Sequence, residues 1–136
     1  MLLSALAFAL LIVSAYLREP LLALRIGVAA AVPFFVVTVL RKLVDAPRPY
    51  ELYSFYETAP KRKSGSSFPS RHVFSSFVIA TLSFILSPWL TAAIAIVGVA
   101  LSVSRVLLGI HFVRDVLAGA LIGITSGLIG LVLIVF

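Results

Sequence analysis

Apolar residues fall into five long blocks, at residues 2–17, 21–40, 70–86, 89–108 and 110–136. Short polar breaks separate most of them: Arg18-Glu19, Ser87-Pro88 and the turn-permitting Gly109. One break is long, at residues 41–69. Each block is near the ~20 residues that cross a hydrocarbon core, with the first and third at the short end. Lipid offers no partner to an open backbone group, so the spanning form is the helix. The pattern predicts an all-α, polytopic membrane helix bundle of about five transmembrane helices, forming one domain over residues 1–136.

If all five blocks span, the joins after the second and fourth lie on one side of the membrane. These are residues 41–69 and the neighbourhood of Gly109. Nearly every ionisable residue outside Arg18, Glu19 and Arg25 then converges on that interface. The last block carries Gly119, Gly123 and Gly127 at a spacing of four, a smooth stripe for close helix contact. The stripe is expected to pack within the chain rather than across a dimer, although a homo-oligomer stays open.

Composition supports this reading. Hydrophobic residues make up 62% and charged residues 12% of the 136, against about 25% charged in soluble domains. The net charge of +6 gathers near the expected membrane boundaries. It therefore points to lipid headgroups or a phosphate-bearing ligand and not to nucleic acid. The absence of cysteine rules out disulfides, thiolate metal sites and cysteine nucleophiles. The first block lacks the basic start and small-residue cleavage site of a secretory signal, so it is expected to be a retained helix.

Three clusters carry the chemistry. The first is RKLVDAPRPYE, residues 41–51, where two prolines stiffen the backbone around Arg48. Taken alone, Arg41, Lys42 and Arg48 read first as interfacial anchors that snorkel to headgroups. The second is SSFPSRH, residues 66–72, in which Ser70 is a plausible N-cap and His72 falls in the first helical turn. A helix N-terminus suits a phosphate. The third is SRVLLGIHFVRD, residues 104–115. His111 and Asp115 are four apart, so on one helix they share a face, and the carboxylate can orient the imidazole. The bland alternative is a buried polar network joining two helices. Ionisable groups inside a membrane are costly, which favours function. Cations gathered at one point repel unless an anion sits among them, and a phosphoryl group meets that need. Two histidines then divide the work, one attacking phosphorus and the other protonating the leaving oxygen.

These clusters resemble the type-2 phosphatidic acid phosphatase superfamily of membrane lipid phosphatases, whose pattern is K-x6-R-P, then P-S-G-H, then S-R-x5-H-x3-D. Ser104, Arg105, His111 and Asp115 match the third motif in full. The second reads Pro69-Ser70-Arg71-His72, and the first Arg41, six residues, then Arg48-Pro49. The resemblance implies His111 as the nucleophile forming a phosphohistidine, with Asp115 orienting it and His72 as general acid and later base. It implies Arg41, Arg48, Ser70, Arg105 and the Arg71 backbone N–H as phosphate ligands, with no metal and no cofactor. Arg41 stands for the usual lysine and changes the fork geometry, so that Lys42 can reach in instead. Arg71 stands for the usual glycine and adds a cation that favours a diphosphate. The family core commonly has two helices before the one leading into the first motif, and here there is room for one.

A site in the membrane implies an amphiphilic substrate. Undecaprenyl diphosphate, phosphatidylglycerophosphate and phosphatidic acid are the candidates. The loop over residues 50–67 reads as a lid carrying Tyr50, Tyr53, Phe55 and Tyr56. The resemblance implies a bacterial plasma-membrane protein with an outward-facing site. Lys61-Arg62-Lys63 count against that side by the positive-inside rule, with Arg18 and Arg25 opposite. The rival reading is a non-catalytic lipid-phosphate-binding scaffold. A haloperoxidase is a remote third.

Overall fold

A computed structural model describes residues 2–53 and 65–136. Its helices are α1 (Leu2–Arg18), α2 (Pro20–Val44), α3 (Pro49–Leu52), α4 (Arg71–Leu82, extended by a 3-10 turn over Ser83–Ile85), α5 (Pro88–Leu107) and α6 (Val113–Val135). No strand occurs among the described residues. Three segments are long and apolar enough to cross a membrane: α2 with its continuation to Leu52, α5 and α6. α1 and α4 are shorter apolar helices. This is an integral membrane bundle, and its outer surface is the greasy one. Large apolar residues such as Leu17, Trp89 and Leu133 are exposed, as expected of a lipid-facing wall.

α4 is the central element, with α6 closest to it and α1, α2 and α5 around them. Its burial explains its mixed sequence. Val73, Phe74, Val78, Ile79 and Leu82 are buried, while Ser75, Ser76 and Thr81 return their hydroxyls to the carbonyls four residues back. The glycine stripe of α6 packs within the chain, against α4. A Cβ on Gly119 would lie 2.6 Å from the Ser70 carbonyl oxygen, and one on Gly123 would lie 2.7 Å from that of Phe74.

Two helices differ from expectation at the site end. α2 runs four residues past the expected boundary, to Val44, so Arg41 is on a helix and not in a loop. Asp45 closes it in the left-handed region at φ 37°. α6 starts at Val113 and not at 110. The reason is a Schellman-type end to α5: Gly109 takes φ +64°, its N–H bonds to Val106 O at 2.9 Å, and the Ile110 N–H bonds to Arg105 O at 3.1 Å. The far end of the bundle is closed by the other arginines. Arg25 donates to the Ile134 carbonyl at 3.0 Å and Arg18 to that of Leu86 at 3.5 Å, satisfying carbonyls that helix ends leave open.

Candidate active site

The site forms where α2 ends, α4 begins, α5 ends and α6 begins, so all three sequence clusters meet there. The chain from Gly65 to Ser70 is the hub. Asp45 Oδ1 accepts from the Ser66 N–H at 2.9 Å and from its hydroxyl at 3.0 Å. Glu51 accepts from the Gly65 N–H at 2.9 Å and the Arg48 N–H at 2.7 Å. The Ser67 N–H reaches Ala46 O at 2.8 Å, and the Ser70 N–H reaches Asp115 O at 2.8 Å. The motifs alone did not reveal Asp45, Glu51 and Ser67. A signal for the first two was present, because the chain has only five acidic residues and two of them, Asp45 and Glu51, lie within or just after the first motif.

Arg41 is buried, and its guanidinium is turned onto this hub. Nη1 donates to the carbonyls of Ser67, at 3.3 Å, and of Pro69, and Nη2 donates to that of Ser66. Sequence reasoning placed Arg41 on the phosphate. The structure shows its terminal nitrogens engaged by backbone, an arrangement for which the planar fork suits arginine better than lysine. Lys42, one residue on, is exposed. Arg48 gives its Nε–H to Gly65 O at 3.1 Å, and its terminal nitrogens have no hydrogen bond among the described residues. Arg71 stacks over the Phe34 ring at 5.7 Å from its centre.

His111 and Asp115 meet, though not as a pair on one helix. His111 sits in the turn before α6, and its N–H bonds to Arg105 O at 3.2 Å. Phe112 takes an extended backbone as N-cap, and Asp115 is the third helical residue, accepting the Phe112 N–H at 3.0 Å. His111 Nδ1 lies 3.7 Å from Asp115 Oδ2 and 3.2 Å from Ser67 Oγ. The Ser67 hydroxyl donates to the same carboxylate oxygen. All three residues are buried. Burial pushes the His111 pKa below the ordinary histidine range; Asp115 opposes this, and the charges of Arg48 and Arg41 reinforce it. Burial thus favours the neutral imidazole.

The remaining groups are close enough to interact through charge. His72 feels the positive charges of Arg105 and Arg71 and lies near His111, and Arg105 feels that of Arg48. Ser70 occupies the N-cap position of α4 as expected but makes no capping bond. Its hydroxyl is buried without a hydrogen-bond partner among the described residues. Four N–H groups at the start of a helix have no partner within it, and here Asp115 O takes that of Ser70, so this corner combines the remaining donors with cations and two histidines. The lid residues Phe55 and Tyr56 and the run Lys61-Arg62-Lys63 lie outside the described residues.

A cavity of about 830 Å³ leads away from the site between α1, α2 and α4. Arg71, His72 and Ser75 line its polar end; Phe8, Ile12, Ala23, Gly27 and Phe34 line its walls, and Tyr16 and Pro20 its far end. From Phe34 to Pro20 it follows α2 for about 21 Å at 1.5 Å per residue.

A helical membrane bundle with a buried histidine, a second half-buried one and clustered arginines at one end is the class of protein these features define. The chain belongs to the PAP2 superfamily, whose sequence pattern matches residues 22–135. It is 35% identical over 82 residues to the lipid A 1-phosphatase of Porphyromonas gingivalis, covering 57% of this chain and 18% of that one. It is 32% identical over 108 residues to the bacitracin transport permease protein BcrC of Bacillus licheniformis, covering 73% of this chain and 51% of that one. The chain thus spans about half or less of the length of these curated relatives. The solved transmembrane PAP2-type phosphatidylglycerolphosphate phosphatase of Bacillus subtilis superposes with a TM-score of 0.72 at 22% identity, over 93% of this chain and 66% of that one. At that identity the likeness establishes the fold.

Proposed function

We propose that this protein is a metal-independent phosphatase that removes phosphate from a membrane lipid, a monoester or a diphosphate, through a phosphohistidine on His111. The observation that supports this most is the state of His111. Its Nδ1 side faces Ser67 and Asp115, an arrangement that favours the ring proton on Nδ1 and a free lone pair on Nε2, and burial favours the neutral ring.

In this reading the phosphate oxygens take donors from Arg48, Arg105, the Ser70 hydroxyl and the Arg71 backbone N–H. Arg41 contributes charge while holding the loop, and Lys42 is a reserve cation. Nε2 of His111 attacks phosphorus, and the phosphorus–oxygen bond to the lipid breaks in line. His72 gives its proton to the departing oxygen. Asp115 stabilises the imidazolium that the phosphohistidine carries. His72, now a base, takes a proton from water; the water oxygen bonds to phosphorus, the phosphorus–nitrogen bond breaks, and inorganic phosphate leaves. The arginines supply the charge neutralisation that a metal supplies elsewhere.

The cavity supports a lipid as the substrate. It starts at His72 and Arg71 and continues as an apolar trough, so a headgroup at the site puts its chain along α1, α2 and α4. The lipid A 1-phosphatase relative supports the same class. The site faces outward in this reading, on the analogy of bacterial family members. The rival is a lipid-phosphate-binding scaffold, which needs the cations but not the histidines. Purified protein in detergent, given a panel of monophosphate and diphosphate lipids, should release inorganic phosphate from at least one, and His111→Ala should lower that release at least 1,000-fold, the order lost on removing a covalent nucleophile. Binding of the same lipids without release would favour the scaffold.

A further inference from the structure

Ser67 lies outside the residues matched to the three motifs, yet every polar group it has is committed. Its N–H goes to Ala46 O at 2.8 Å, its carbonyl accepts Arg41 Nη1 at 3.3 Å, and its hydroxyl lies between His111 and Asp115. It is 0% exposed. A hydroxyl has one proton to give and can also accept. Asp115 Oδ2 takes donors from both Ser67 Oγ and the Phe112 N–H, as an ionised carboxylate does. With its proton spent on Asp115, Ser67 Oγ can only accept from His111 Nδ1, 3.2 Å away. The direct distance from Nδ1 to the carboxylate is 3.7 Å, beyond a good hydrogen bond.

We infer that Ser67 is a positioning residue of the active site, the hydroxyl through which Asp115 fixes the proton of His111 on Nδ1 and so leaves Nε2 free to attack. The order of the relay is Nδ1–H to Oγ, then Oγ–H to Oδ2. The inference rests on the phosphohistidine reading for its catalytic consequence, but the tautomer it assigns is a property of the resting protein. It also gives Arg41 a purpose beyond the phosphate, because Arg41, Asp45 and Glu51 hold the short chain that presents Ser67. Without the hydroxyl, Nδ1 faces no acceptor within ordinary reach, and the tautomer with the proton on Nε2, which cannot attack, becomes competitive.

The chain has only two histidines, so in a His72→Gln background nitrogen-15 NMR of the imidazole reports His111 alone. The expected spectrum shows the Nδ1–H tautomer, shifting towards Nε2–H when Ser67→Ala is added. In the otherwise native chain, Ser67→Ala should lower kcat about 10- to 100-fold, as loss of an outer partner does, with KM within about threefold. In an Asp115→Asn background the same change should cost less than about threefold, because the link is already broken. Ser67→Cys keeps the volume with a weaker donor and should give an intermediate loss; it carries the test if the alanine variant does not fold. An unchanged tautomer with kcat within twofold of wild type would overturn the inference, as would losses from Ser67→Ala and Asp115→Asn that simply multiply. If His111→Ala turned over as well as wild type, the phosphohistidine reading would fall, and the tautomer spectrum would still decide the role of Ser67.

Discussion

His111 carries the chemistry proposed here, and its environment sets a sign that can be checked. It must be neutral to attack, so kcat/KM falls as pH drops through its pKa. Burial, Arg48 and Arg41 push that pKa down, and Asp115 pushes it up. The acidic limb for the wild type should therefore lie below the ordinary histidine value of about 6.5. Asp115→Asn should move that limb to lower pH while reducing kcat, and Arg48→Gln should move it to higher pH. Profiles on one lipid keep the substrate's own ionisation common to all three proteins. A limb that Asp115→Asn moves upward would contradict the assignment. Most of the residues involved were legible in the sequence for one reason: an ionisable group in an apolar chain is expensive, so His72, Arg105, His111 and Asp115 stand out. Ser67 did not, since a serine costs little anywhere and its role depends on a contact across 44 to 48 residues of chain.

At the scale of elements, the helices were legible from hydrophobic blocks, and their ends were less so. The spacing of four between His111 and Asp115 suggested one helical face. The actual chain leaves α5 through a left-handed glycine and enters α6 through an extended Phe112, so His111 reaches back from a turn. A period of 3.6 cannot reveal where a helix starts when apolar residues continue through the cap. Arg41 shows the same limit: its charge was visible, but its three carbonyl partners come from a loop whose path the sequence does not state. That α6 packs closely within the chain was legible as a glycine stripe, but that its partner is α4 was not. Gly119→Ala puts a methyl 2.6 Å from the Ser70 carbonyl oxygen, so α6 must back away. The expected cost is about 1–3 kcal/mol, read as a lower unfolding midpoint in detergent. Because Ser70 and Asp115 are bonded across this contact, activity should fall with it. A variant as stable and active as wild type would show that the two helices are less tightly apposed.

The whole molecule reads as a bundle that joins two environments. Its polar end assembles three arginine-bearing segments around two histidines, and its apolar trough starts at that end and descends among α1, α2 and α4. Neither part alone defines a lipid phosphatase; their continuity at His72 and Arg71 supports one. In the proposed reaction the phosphoryl group is carried by His111. That step is tested most directly by rapid acid-free quenching of the protein mixed with a lipid whose phosphate is radiolabelled, followed by peptide mapping. The expected result is an alkali-stable, acid-labile label on the peptide containing His111, absent from His111→Ala. Labelled His111→Ala protein, or an acid-stable label on a serine, would contradict it.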